Sequence, residues 1–103
     1  MLLERRADRI DAELDRAAAD GWLLYDFRGS TPAFGRLLGE VPLSTRRAFL
    51  YRPRRGAARL LIHHVDAGNF GRLGLEVTAY GSYQELLAGV HGLLGEARRA
   101  ICL

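Results

Sequence analysis

The chain has 103 residues, 49% of them hydrophobic, and a formal net charge of +3. That suits one domain with a single core, and no apolar run nears the roughly 18 residues of a membrane span. Met1-Leu2-Leu3-Glu4-Arg5-Arg6 turns charged at once, so no secretory leader is read and a cytoplasmic protein without a membrane partner is expected.

All 15 basic side chains are arginine, which keeps its charge and offers a planar fork to carboxylates. The one cysteine, Cys102, excludes an intramolecular disulfide and a cysteine-rich zinc site. Within Ala100-Ile101-Cys102-Leu103 it reads as a buried structural thiol.

From Leu2 to Asp20, Leu3, Ala7, Ile10, Leu14 and Ala17 recur at spacings of four and three, one face of a single amphipathic helix. Two heptads are too few for a coiled coil, so the face is expected to pack on a sheet, with the acidic residues mostly toward solvent. Arg9 with Glu13 and Glu13 with Arg16 are expected pairs worth ~0.3 kcal/mol each. Gly21 is placed to end the helix in a left-handed conformation.

Trp22 to Phe27 reads as the first strand, opening into the loop Arg28-Gly29-Ser30-Thr31-Pro32. Thr31 is a candidate cap for a short helix with Pro32 at its first position and Phe34, Leu37 and Leu38 on its apolar face. Gly39 ends that helix. Arg46–Arg52 and Arg59–His64 read as strands, and the short turn Pro53-Arg54-Arg55-Gly56 makes them an antiparallel hairpin.

A helical turn over Asp66–Arg72 and a strand over Leu75–Tyr80 follow. Ser82-Tyr83-Gln84-Glu85 has the form of a capping box. The helix it opens turns Leu86, Leu87, Val90, Leu93, Leu94 and Ala97 to a core, and its Gly89 and Gly92 suggest close packing. Arg98 to Leu103 begins a fifth strand and stops within it, the pattern expected of a chain that continues. The fold class is therefore α/β, one domain over residues 1–103, with five strands flanked by helices.

No complete catalytic constellation is present. His63 and His64 are adjacent and offer poor metal-ligand spacing with Asp66, so a structural role is expected. Arg46, Arg47, Arg52, Arg54, Arg55 and Arg59 fall in a stretch with no acid between Glu40 and Asp66. This arginine-rich hairpin supports an alternative function, a stand-alone module binding nucleic acid or an acidic protein. No aromatic RNA-stacking motif accompanies it, so nucleic acid is not the expected partner. A small-molecule sensor would need an enclosed apolar pocket near Phe27 and Phe34.

The order of motifs is charged helix, Trp-Leu-Leu-Tyr strand, Ser-Thr-Pro-Ala-Phe loop, hairpin, His-Val-Asp-Ala-Gly-Asn-Phe turn, then Tyr-Gly-Ser-Tyr-Gln-Glu-Leu-Leu. It resembles the N-terminal domain of the creatinase, prolidase and Xaa-Pro aminopeptidase family over nearly the whole chain. Members often carry Asn before the Pro, where Thr31 stands here. The resemblance implies a ribonuclease-H-like mixed sheet. It also implies a separate pita-bread catalytic domain, absent from this chain, that holds two divalent metal ions through two Asp, one His and two Glu.

By the same resemblance the chain alone is no enzyme and has no cofactor. It would be a fragment of a metal-dependent Xaa-Pro peptidase that shapes substrate access and subunit contacts. Its expected partners are the catalytic domain and, in a homodimer, a second subunit. An arginine near the start of the second strand reaches a partner's active site in the creatinase branch, and Arg46 and Arg47 occupy a comparable place. Arg28, Thr31, Arg46 and Arg47 are the candidate substrate or interface contacts. Asp26 matches the first-strand acid of ribonuclease-H-like nucleases but lacks partner acids, so it is read as orienting the Phe27-to-Pro32 loop.

Overall fold

The computed structural model of the chain describes residues 2–28, 30–39 and 46–102. Gly29, the segment 40–45 and Leu103, which carry part of the loop, hairpin-start and last-strand readings above, lie outside the described residues.

The first amphipathic stretch forms two helices, α1 (Leu2–Arg5) and α2 (Ala7–Ala17), rather than one. Arg6 breaks the helical dihedrals between them, at φ −107° and ψ 17°. The apolar stripe keeps its face, with Leu3 and Leu14 buried. Helix α2 ends not at Gly21 but at Ala18, which takes the left-handed conformation (φ 53°). Amides there return to the carbonyls of Asp15 and Leu14. The chain then has two residues to turn before β1 (Gly21–Phe27).

After β1 come α3 (Pro32–Leu38), β2 (Arg47–Pro53), β3 (Arg59–His63), a 3-10 helix (Ala67–Leu73), β4 (Glu76–Tyr80), α4 (Tyr83–Leu94) and β5 (Ala100–Cys102). The sheet has five strands in the order β4-β3-β2-β1-β5. The pairs β1–β2 and β2–β3 are antiparallel, while β3–β4 and β1–β5 are parallel. The expected hairpin is thus present, and the sheet is mixed.

Side-chain alternation along the strands builds two cores. Leu24, Ala48, Leu50, Leu60 and Ile62 point to one face, where Leu3, Phe34, Leu37, Leu38 and Phe70 cover them. Tyr51 and Leu61 point to the other, beneath Leu86 and Leu93 of α4. Strand β3 is buried on both faces, which is why its apolar run Leu60-Leu61-Ile62 does not alternate. Gly89 lets α4 approach, since a Cβ there would lie 2.6 Å from Leu61 Cδ1. Gly92 meets nothing within 4 Å, so the close-packing expectation holds for only one of the two. Leu87 departs from the expected core face and is 48% exposed, because it points outward between Tyr83 and His91 on α4. Cys102 is also exposed, because β5 is the sheet's edge, which overturns its reading as a buried thiol.

Sequence-distant partners dock the β2–β3 hairpin onto α2. Arg52 is buried on the α2 side of the sheet and pairs with Asp11 at 2.9 Å. The same guanidinium also donates to the Pro53 and Ala7 carbonyls. Arg55, left-handed at φ 55°, turns its amide to Asp11 Oδ1 at 2.8 Å and its side chain to both oxygens of Asp15. Arg54 lies 3.5 Å from Asp15. Asp11 and Asp15 therefore serve the hairpin and do not simply face solvent. Glu13 and Arg16 form the expected turn-spanning pair at 3.5 Å.

Candidate functional site

The sheet order brings one end of four strands together. Strands β1, β3 and β4 run in one direction and β2 in the other, so Phe27, His63 and Tyr80 at three strand ends meet Arg47 at a strand start. Helix α4 begins at the same end, behind Gly81 and Ser82. These residues, with Arg46, Tyr83 and Leu86, line an open cleft of about 310 Å³.

Arg28 and Arg47 flank the Phe27 ring, with guanidinium carbons 5.1 and 5.6 Å from its centroid. Phe27 is 38% exposed, so the cluster presents two cations around an accessible aromatic face. Arg28 reaches the ring because it turns the chain in the left-handed region, at φ 56°. Of the candidate residues, Arg46 and Arg47 line the cleft and Arg28 joins Arg47 at Phe27.

Thr31 lies behind this surface. Its hydroxyl donates to the Tyr25 carbonyl at 2.9 Å, and its amide donates to Asp26 Oδ1 at 2.8 Å. The side chain does not cap α3. Asp26 is buried and holds the loop through that amide, in keeping with its expected orienting role. Removing the hydroxyl in Thr31→Val is expected to cost about 1 kcal/mol, the usual net value of one such bond. Urea unfolding reads this as a lowered midpoint; an unmoved midpoint would show that the latch contributes nothing.

The far wall of the cleft is fixed by Tyr80, whose hydroxyl donates to the Arg47 carbonyl at 2.5 Å. Burial raises the Tyr80 phenol's pKa, with Arg47 opposing, so the phenol stays a donor at neutral pH. His63 lies edge-on to Tyr80 with ring centroids 5.2 Å apart. Burial first, then His64 and Arg46, lower the His63 pKa, with Asp66 opposing. Its neutral Nδ1 accepts the Val65 amide at 3.2 Å. Ser82 Oγ accepts from the Glu85 amide at 3.1 Å, as the capping box requires. The Glu85 carboxylate reaches the Gly81 amide at 3.2 Å, one residue before the expected one.

This arrangement suits an anion. Two arginines and an aromatic platform converge, no carboxylate is among the described residues that line the cleft, and the adjoining α4 N-terminus is already capped by Ser82 and Glu85. It does not suit a metal: among the described residues no group of three or more His, Cys, Asp or Glu could hold one. Four further hairpin arginines contact their own chain. Arg52, Arg54 and Arg55 meet Asp11 and Asp15, while Arg59 donates to the Leu93 carbonyl at the end of α4 and stacks over Tyr51. Two carboxylates, Asp11 and Asp15, thus offset part of the charge on which the arginine-hairpin alternative rested.

Phe34 is buried in the core while Phe27 stands at the surface, so the two do not enclose a sensor pocket. His63, Tyr80, Ser82 and Phe27 were not singled out as site residues from the sequence. The available signal was positional, since three of the four close a strand and the fourth caps a helix.

No protein-family model and no curated protein matches the sequence. A solved structure does: the creatinase/prolidase N-terminal domain of an X-Pro dipeptidase from Streptococcus pyogenes. The match has a TM-score of 0.76 and 17% sequence identity, and covers 95% of this chain and 75% of that one. No helix among the described residues is long and apolar enough to cross a membrane. The chain thus has the fold of a creatinase/prolidase N-terminal domain, a mixed five-stranded sheet between helices.

Proposed function

We propose that this chain acts as the non-catalytic N-terminal domain of an X-Pro peptidase-type protein, shaping substrate access and subunit contacts. The observation that carries the reading is the structural match over 95% of the chain. Arg46 and Arg47, with Arg28 beside them, would present guanidinium groups to a substrate carboxylate or to acidic groups of a partner subunit. Thr31 would hold the Arg28 loop in place, its hydroxyl oxygen still able to accept a bond from a ligand. The two divalent metals, and the hydroxide and carbonyl activation they supply, would belong to a catalytic domain. A cytoplasmic location goes with this reading.

Incubated with manganese and an Ala-Pro dipeptide, the chain is expected to release no proline. The dipeptide should shift the NMR amide resonances of Arg46 and Arg47, and its C-terminal amide should not, because bidentate pairing needs the carboxylate. Metal-dependent proline release would sink the non-catalytic reading. Equal shifts from acid and amide would remove the carboxylate role.

A further inference from the structure

At the opposite edge of the sheet, an apolar groove of about 460 Å³ opens between the helices and β5. Its walls are Leu2, Ile10, Leu14, Trp22, Leu37 and Ile101. Trp22 and Ile101 are register partners on the parallel β1–β5 pair and so lie side by side on one face. Helix α3 covers β1 and α2 is drawn to the β2–β3 hairpin, which leaves the β5 end of this face thinly covered. Ile101 is 36% exposed there. A sheet face with apolar side chains is normally roofed by another element. Among the described residues, α1 and α2 wall this length of sheet without closing over it.

The rim identifies the occupant. Arg6, Arg9 and Glu13 border the groove, and Glu13 already pairs with Arg16, so its unmatched charge is positive. A second copy of the chain would set two such arginine rims against each other across a two-fold axis. An open trough beside a helical layer fits a helix better than a compact ligand, which would be enclosed on most sides.

We infer that the Trp22–Ile101 groove is a docking site for an amphipathic helix of a partner polypeptide, acidic along the flank that faces Arg6 and Arg9. The helix would lay apolar residues at i, i+3, i+4 and i+7 over Trp22 and Ile101, the usual mode of helix-in-groove recognition. The inference is independent of the peptidase reading, since the groove shares no residue with the arginine cleft.

Trp22 is the only tryptophan, so its emission reports the groove directly. The probes are a leucine/alanine/glutamate amphipathic peptide of roughly 18 residues, its lysine-for-glutamate counterpart, and dodecanoate. The acidic peptide is expected to shift Trp22 emission to the blue and saturate, with the lysine peptide about tenfold weaker. Arg9→Glu should reverse that preference. Ile101→Glu, at an exposed edge position, should abolish binding while the far-ultraviolet circular dichroism stays unchanged. Equal affinity for both peptides, or peptide binding that survives Ile101→Glu, overturns the proposal. Saturation by dodecanoate but not by the acidic peptide, or a dimer in sedimentation that Ile101→Glu dissociates, overturns it too.

Discussion

Gly21→Ala is expected to destabilise the domain by about 2–3 kcal/mol, the upper part of the range for forcing extra volume into a packed core. A Cβ at Gly21 would lie 2.3 Å from Tyr51 Oη, 2.4 Å from Cζ and 2.5 Å from Cε1. Tyr51 is 2% exposed, so its ring has nowhere to swing without lifting α4 or parting β1 from β2. For a domain of this size such a loss lowers the melting temperature by roughly 10–20 °C. Thermal unfolding followed by circular dichroism checks it. Tyr51→Leu in the same chain should recover part of the loss, so the double variant falls short of the summed singles. A Gly21→Ala protein within about 0.5 kcal/mol of wild type would show that the ring yields freely.

That glycine illustrates what the sequence does and does not disclose. Its place after a helical stripe suggested a left-handed terminator, yet Ala18 ends the helix and Gly21 instead makes room for a ring from the neighbouring strand. Local chemistry was legible where the partners are close in sequence: the Pro53–Gly56 turn, the Ser82 cap and the alternation that splits β1 and β2 between two cores. Contacts that depend on distant segments were not. Asp11 and Arg52 lie 41 positions apart, and Arg55 and Asp15 lie 40 apart, so the arginine run looked like an open basic patch.

The same limit applies to the candidate site. Arg28, Arg46 and Arg47 could be picked out as cations at strand ends. Their grouping around Phe27, with His63 and Tyr80 opposite, follows from the order β4-β3-β2-β1. No periodicity within a segment encodes that order. Cys102 and Leu87 were misplaced for a related reason, because apolar character alone does not tell an edge strand or a helix shoulder from the interior.

Breaking the Asp11–Arg52 pair from the acidic side is the other large effect, and it carries a pH signature. Arg52 has a side-chain exposure of 6% and Asp11 of 19%. Asp11→Ala would leave the guanidinium buried without its carboxylate, and the Arg55 amide would lose its acceptor as well. Fully buried pairs cost about 3–5 kcal/mol when one partner is removed; with Asp11 partly in water, about 2–3 kcal/mol is expected at pH 7. The Arg52 hydrogen bond, then the Arg55 amide, holds the Asp11 carboxyl below the ordinary aspartate value. A folded-state pKa below the unfolded one means the stabilisation is complete above about pH 4 and is lost as pH falls through the folded value. Asp15 and Asp20 are lowered as well, by Arg55 and by the Arg98 and Arg99 amides, so the domain should lose stability steeply in acid. Urea titrations at pH 7 and in strong acid should show the wild-type and Asp11→Ala midpoints far apart in the first and convergent in the second. The pair Asp11→Leu with Arg52→Met, which removes both charges, should return most of the lost stability at pH 7, because the apolar replacements need no partner. A gap of equal size at both pH values would mean that Asp11 acts through packing rather than through its charge.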